Sequence, residues 1–396
     1  MFRCCLALFM EPSDDIGPLA VQPSGIVKIS TSILKGTISL PPSKSHAMRW
    51  ITLASMDSTP TRISMHEVGE DVQALIDSLE HFGIIFDEEH IVGGNLSNYS
   101  GTVNCKNSGT ALRFLMAQLA TTNQKITLDG DDSLRVRTCL PLLEALDISY
   151  DFLSENHLPI SIEGPLKSTK IIVDTSVSSQ FLSAILLMTP RTKGFELEMR
   201  GKSVSRKHSD LTWDLCKITG AERYGEPWVV KCPDVIIPPD PSMSIFAKLA
   251  NLEINNPPSD QDLIGHDLES LDLTDSNDFI TPMSALLALN QGGVITGAKH
   301  ATYKESNRIS RTKDMLEQFS IFVEETEDGL IIEGGQMPIE PKSVVKTYGD
   351  HRIQMTAIIL AAMCGGKIEG ENLHKVAWPS FLQQLESCGL NYEIEI

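Results

Sequence analysis

The sequence predicts an α/β protein assembled from a repeated unit, and three observations carry that prediction. A cluster of small or polar residues leading straight into an apolar stretch of helical period recurs six times. It reads SKSHAMRWITLASM (43–56), NSGTALRFLMAQLA (107–120), SSQFLSAILLM (178–188), DPSMSIFAKLA (240–250), NDFITPMSALLAL (277–289) and GDHRIQMTAIILAAM (349–363). A more amphipathic helix, ending near Gly and turning into a strand, recurs at 70–86, 133–150, 209–224, 306–323 and 379–394. Between the two types lie β-branched runs such as KIIVD, VVKC and GLIIEGG. Six helices of the first type imply six similar units, three to a domain.

Taken in order, the chain opens on MFRCCLALFM, which has one Arg and a short apolar stretch but no small-residue cleavage site, followed by the acidic EPSDD. Residues 1–25 are therefore expected to be a flexible extension, with the fold beginning near Ile26. Over 70–86, Val72, Leu75, Ile76 and Leu79 make one apolar stripe, and Gly83 sits where a C-cap belongs. At 277–289, Thr281 as N-cap and Pro282 in the first turn predict the helix start. The fourth unit reads as abbreviated. Residues 251–272, with Pro257, Pro258 and Asp260, form a shortened connection that retains one turn at DLIGHDLESL (262–271).

A length of 396 residues fits two domains. With 33 Lys+Arg against 52 Asp+Glu, the formal charge is −19, which opposes binding to nucleic acid or an anionic membrane. An anionic ligand must then find a local cationic site. The eight cysteines contain no Cys-x-x-Cys pair and are too sparse for a disulfide scaffold, so reduced thiols and a cytoplasmic location are expected. No apolar run approaches the ~18–20 residues of a membrane helix.

The helix starts carry the chemistry. A helix N-terminus presents free N–H groups and a partial positive charge, and so attracts anions. Ser43-Lys44-Ser45, with Arg49 one turn on, adds an ammonium, two hydroxyls and a guanidinium. Asn107-Ser108-Gly109-Thr110 offers a glycine for close approach, with Arg113 following, and Ser178-Ser179-Gln180 gives uncharged donors. Asp350-His351-Arg352 sets a guanidinium beside a carboxylate that can orient it. Each alone is an ordinary cap. Four at equivalent places in a repeat read as one convergent site for a polyanionic small molecule. Helical spacing would put Lys304 and Arg308 on one face beside Glu305. Asp278 is either a capping carboxylate or, among cations, an ionised general base. No metal-ligand spacing, P-loop or Gly-x-Gly-x-x-Gly occurs, so neither metal nor cofactor is expected.

SKSHAMR (43–49), NSGTALR (107–113), the Arg137 segment, SSQF (178–181), KESNRI (304–309) and GDHRIQM (349–355), in this order, resemble the EPSP synthases of the enolpyruvyl transferase family. The resemblance spans about 26 to 390. It implies a two-domain inside-out α/β barrel of six βαβαββ-type repeats. One lobe covers 40–238 and the other 26–39 plus 239–396, with the active site in the cleft. It also implies transfer of the enolpyruvyl group of phosphoenolpyruvate to the 5-hydroxyl of shikimate 3-phosphate, by a monomer. Carried over by position, Ser45, Arg49, Ser178, Ser179, Ser205, His300 and Lys304 hold shikimate 3-phosphate, and Asp278 takes the 5-hydroxyl proton. Lys44, Asn107, Gly109, Arg137, Gln180, Arg308 and Arg352 hold phosphoenolpyruvate. Glu305 and Lys44 are both candidates for proton delivery to C3.

Three departures stand out from the family pattern. The usual Arg-Pro reads Arg137-Thr138, and the tyrosine near the shikimate ring reads His208. The C-terminal Lys-Ser/Thr-aromatic-Pro motif reads Val376-Ala377-Trp378-Pro379, leaving the adjacent Lys375 as the candidate replacement for the lysine. Losing such a contact outright costs roughly 1.5–3 kcal/mol of binding. Two alternatives follow: an enolpyruvyl transferase for another acceptor, or a non-catalytic homologue that binds phosphorylated metabolites.

Overall fold

The computed structural model describes residues 24–155, 157–259 and 270–395. The expected extension over 1–25 lies almost wholly outside the described residues, as does most of the turn expected at 262–271.

Side-chain capping sets six of the twelve described α-helix starts. Ser43 caps Lys44–Ala54 (α1), its hydroxyl accepting from His46 N–H at 3.4 Å, and Glu70–Glu80 (α2) follows. Ser108 caps Gly109–Leu119 (α3) through Ala111 N–H at 3.3 Å. The helix read over 133–150 is two, Asp132–Arg135 (α4) and Leu140–Leu146 (α5). Pro141 has no N–H to donate, so it fits the first turn of a new helix better than the interior of an old one. Ser178 caps Ser179–Met188 (α6), and Arg206–Ile218 (α7) and Ser244–Leu249 (α8) come next. Ile280–Leu289 (α9) and Arg308–Gln318 (α10) follow, then His351–Cys364 (α11), capped by Asp350, and Phe381–Ser387 (α12).

Two local expectations are corrected. A 3-10 turn at Asn277–Phe279 leads into α9, so Thr281 lies inside the helix. Thr281 is buried, with Oγ1 2.8 Å from Thr312 Oγ1, and does not cap. Lys304 lies before α10, whose cap is Asn307, and has extended backbone. It shares no helix face with Arg308.

Among the described residues the strands form six separate sheets. Three four-stranded sheets have one order of pairing, a parallel pair followed by two antiparallel ones. In one, Thr102–Asn104 runs parallel to Lys125–Asp129, which pairs antiparallel with His157–Glu163 and so to Ser149–Ser154. Ser270–Asp272, Gly292–Thr296, Leu330–Glu333 and Val323–Glu325 repeat it. So do Val235–Ile236, Thr61–Ser64, His90–Val92 and Ile85–Asp87. Ile26–Ser30 pairs antiparallel with Gly366–Glu369 and Asn391–Glu395, which ties the start of the described chain to its end. Thr37–Ile38 pairs only with Glu253–Ile254. Side chains alternate as a half-buried strand requires: in Lys125–Asp129, Ile126 and Leu128 are buried and Lys125 is exposed.

Two hydrophobic cores result. One draws on residues from Ala47 to Ile237, the other on Val27 to Leu40 together with Met243 to Leu390. The helices α3, α6, α9 and α11 are apolar nearly all round and run through these cores, as such helices must. No described helix is long and apolar enough to cross a membrane.

Candidate active site

The N-terminal ends of α1, α3, α6 and α11 emerge from the two cores at one cavity. Lys44, Ser45 and Arg49 of α1, Gly109 of α3, and Ser179 and Gln180 of α6 line it from one side, with Arg137 and Ser205. Asp278, Lys304, Glu305, Arg308 and Arg352 line it from the other. A smaller cavity shares Ser179, Gln180, Ser205 and Lys304 and adds Ser178 and His300. Ser205, in left-handed backbone just before α7, joins the two sides. Its N–H donates to Thr274 O at 2.8 Å, and its Oγ lies 3.1 Å from His300 Nε2.

Three of the guanidiniums are bonded only to neutral groups among the described residues. Arg49, 2% exposed, donates from Nε to Thr212 Oγ1 at 2.6 Å, from Nη1 to Ser45 O at 2.7 Å, and from Nη2 to Ser183 Oγ and His208 O. Arg113 donates to Gly109 O, Thr138 O and Gln180 Oε1. Arg137 donates to Asn107 O at 3.1 Å, to Asn107 Oδ1 and to Ser133 Oγ. Burial pushes Arg49 and Arg113 down to about 10, still charged at neutral pH. Buried charge without a counter-ion is costly, and an anion in the cavity relieves that cost.

The carboxylates cluster on one residue. Arg308, 1% exposed, donates from Nη1 to Asp278 Oδ1 at 2.6 Å, from Nη2 to Glu305 Oε2 at 2.6 Å and from Nε to Asp350 Oδ2 at 2.8 Å. The Asp350 carboxylate was expected to orient Arg352. Instead it accepts from the Arg352 backbone N–H at 2.9 Å, and its side-chain donors are Arg308 and Ser306. The Arg352 side chain donates to Asp278 O and Ser242 Oγ, and its Nη2 lies 3.5 Å from Asp278 Oδ2. Burial alone would raise Asp278, but Arg352, Lys304 and Arg308 hold it well below the usual carboxylate range. Glu305 is likewise held low against its burial, chiefly by Arg308 and Arg137. Burial lowers Lys304 below its ordinary value. Burial works against the Lys44 ammonium too, yet Asp71, whose Oδ2 is 2.7 Å from Nζ, and Glu305 hold it above its ordinary value. The unliganded cavity therefore offers cations for phosphates and carboxylates, the ionised carboxylates of Asp278 and Glu305 beside them, and the protonated amine of Lys44.

The model of the EPSP synthase (3-phosphoshikimate 1-carboxyvinyltransferase) family matches residues 29–252 and 249–385. The chain belongs to the EPSP synthase family. It is 30% identical over 408 residues to the 3-phosphoshikimate 1-carboxyvinyltransferase of Methanothermobacter thermautotrophicus, covering 90% of this chain and 96% of that one. The 3-phosphoshikimate 1-carboxyvinyltransferase of Korarchaeum cryptofilum is 27% identical, with 92% and 99% covered. Among solved structures, an EPSP synthase from Acinetobacter baumannii superposes with a TM-score of 0.72 at 19% identity, over 94% of this chain and all of that one. The mixed α/β fold is that of the family.

Nearly all residues that the sequence singled out as EPSP synthase site positions border the two cavities. Asn107 stands behind the wall as the partner of Arg137. Lys375 is not brought to them: it is exposed, and lines neither cavity. His208 does line the larger one, and burial, with Arg49 nearby, pushes it down to about 4. Sequence reasoning did not assign Asp71, Arg113, His351 or Tyr303 to the site, though all four line it. Arg113 and His351 lie within quoted motifs, so position beside a helix start was the available signal. Asp71 and Tyr303 gave none, because only the tertiary fold brings them there.

Proposed function

We infer that the protein transfers the enolpyruvyl group of phosphoenolpyruvate to the 5-hydroxyl of shikimate 3-phosphate, releasing phosphate. The observation that carries this is the convergence of helix N-termini and neutral-bonded guanidiniums on one cavity that also holds the ionised Asp278. Two anionic substrates supply the charge that such a site lacks.

In this reading Ser178, Ser179, Ser205 and Lys304 take the phosphate of shikimate 3-phosphate in the smaller cavity, His300 orients Ser205, and Ser45 and Arg49 flank the ring. Lys44, Gly109, Arg137, Gln180 and Arg352 take phosphoenolpyruvate. Arg308 has five N–H donors and spends four on carboxylates, which leaves one on Nη1 for the substrate carboxylate. Asp278 accepts the 5-hydroxyl proton as the oxygen bonds to C2 of phosphoenolpyruvate, and C3 takes a proton. Lys44 is the donor in this reading, since it is an ammonium in the unliganded site whereas Glu305 is a carboxylate spent on Arg308. In the second step the bond from C2 to the phosphate oxygen breaks. The C3 proton returns to Lys44, and the proton on Asp278 leaves with phosphate. Fixed cations stabilise the charge throughout.

The two separate cores support two lobes, 40–238 and 26–39 plus 239–396, with the cavity between them. Three of the six sheets share one pairing order, which fits a repeated unit, and the six-unit reading takes the pair Thr37–Ile38 and Glu253–Ile254 as its short fourth unit. A monomer in the cytoplasm fits this reading. Proton NMR of a mixture of both substrates with the protein tests it. Vinyl resonances of a new enol ether are expected, and their absence while both substrates persist contradicts the inference.

A further inference from the structure

The smaller cavity has a rim as well as walls. Ser179, Phe181, Ser205 and His300 are buried in its walls, whereas Tyr303 is 56% exposed and Thr138 is exposed too. Tyr303 and Thr138 come from opposite sides of the cleft, and Tyr303 borders both cavities. Tyr303 ends the 3-10 turn Lys299–Tyr303, which is fixed from within. Ala301 N–H donates to Ala298 O at 2.7 Å, and His300 meets Ser205 across the cleft. The phenol is thus carried on an element that already bridges the two halves, one residue before Lys304, another cavity residue.

A phosphate monoester presents three terminal oxygens, each able to accept more than one hydrogen bond. Ser178, Ser179, Ser205 and Lys304, with Arg113 and Gln180, line the cavity, and Tyr303 and Thr138 stand at its exposed edge. At that edge a phenol supplies a hydroxyl donor on a broad apolar ring, so it can bond an oxygen and cover the mouth against water. It adds no charge to a site already crowded with cations.

We propose that Tyr303 is a substrate-binding residue that closes the smaller cavity over the acceptor's phosphate, its hydroxyl donating to a phosphoryl oxygen opposite Thr138. This rests on the reading of the smaller cavity as the acceptor-phosphate subsite, and it assigns Tyr303 a share in selecting a phosphorylated over an unphosphorylated acceptor. The sequence reading gave neither residue a role in binding.

The test is calorimetric binding of shikimate 3-phosphate alone to the wild-type protein, Tyr303→Phe, Tyr303→Ala and Thr138→Val, with steady-state kinetics alongside. The phenol is exposed, so each variant should fold with a melting temperature within a few degrees of wild type. Tyr303→Phe should weaken binding about tenfold, the usual loss when a donor to a charged group is removed. Tyr303→Ala should weaken it further, and Thr138→Val less. The KM for phosphoenolpyruvate should stay within about threefold. Wild-type affinity in both Tyr303 variants overturns the proposal, as does an equal loss of affinity for both substrates. A wild-type protein that binds no shikimate 3-phosphate contradicts the function itself, an outcome distinct from either of those.

Discussion

Arg308 and Asp278 meet at 2.6 Å, with the guanidinium 1% exposed and two further carboxylates, Glu305 and Asp350, on its remaining edges. The arginine that the family resemblance assigned to phosphoenolpyruvate is therefore also the hub that keeps three acids ionised and in place. One of its donors, on Nη1, is left unbonded among the described residues, and Arg308 lines the cavity. Asp278 in turn stays charged beside Arg352 and Lys304, as the proposed general base must.

If Asp278 is that base, Asp278→Asn should bind shikimate 3-phosphate within about tenfold of wild type while turnover falls by ~10²-fold or more. Arg308 keeps Glu305 and Asp350, so the fold should survive. Binding calorimetry and steady-state kinetics read the two separately, and wild-type turnover would remove Asp278 from its role.

Removing the hub is a different matter. Arg308→Met strands buried carboxylates and should cost about 3–5 kcal/mol at pH 7. The native values of Asp278, Glu305 and Asp350 lie below their unfolded ones, so their stabilising effect is complete above about pH 4–4.5 and is lost as pH falls further. The gap between variant and wild type in denaturant melts should therefore narrow below pH 4.5. A gap that widens there contradicts the assignment.

Buried histidines set an earlier acid limit. Burial pushes His208, His300 and His374 down to about 4 and His351 to about 3, each below the ordinary 6.5. The unfolded chain thus binds more protons than the folded one below pH 6.5. Stability should be highest above 6.5 and fall as pH drops towards 4, each histidine contributing up to about 1.4 kcal/mol per pH unit. Urea melts at pH 7.5, 6 and 5 test this, and equal stability at all three would refute it.

Two substitutions test the walls. A Cβ on Gly109 would lie 2.7 Å from Arg113 Nη1 and 3.4 Å from Arg137 Nη1, both movable side-chain ends. Gly109→Ala should raise the KM for phosphoenolpyruvate several-fold with little loss of stability. Lys375, exposed and outside both cavities, should by contrast tolerate replacement by Ala with that KM unchanged within about twofold. A large rise would mean that Lys375 enters the site when substrate binds.

Much of this was legible in the sequence because capping is local. Lys44, Gly109, Ser179 and His351 begin helices within two residues of where the small-polar clusters put them, and β-branched runs marked the strands at KIIVD and GLIIEGG, whereas VVKC (229–232) is not a strand. What was not legible is long-range. Spacing relates Glu305 to Arg308 but cannot bring Asp278 and Asp350 to the same guanidinium, nor carry Asp71 to Lys44. Thr281 looked like a cap because a preceding 3-10 turn leaves no mark in composition. The net charge of −19 likewise says nothing of a cavity where Arg49, Arg113 and Arg137 are bonded to neutral partners.

The most direct measurement is phosphate release with phosphoenolpyruvate and shikimate 3-phosphate supplied together and singly. Sustained release only with both present, slowed ~10²-fold or more in Asp278→Asn, is the result that the proposed chemistry predicts. No release at saturating concentrations of both would contradict it.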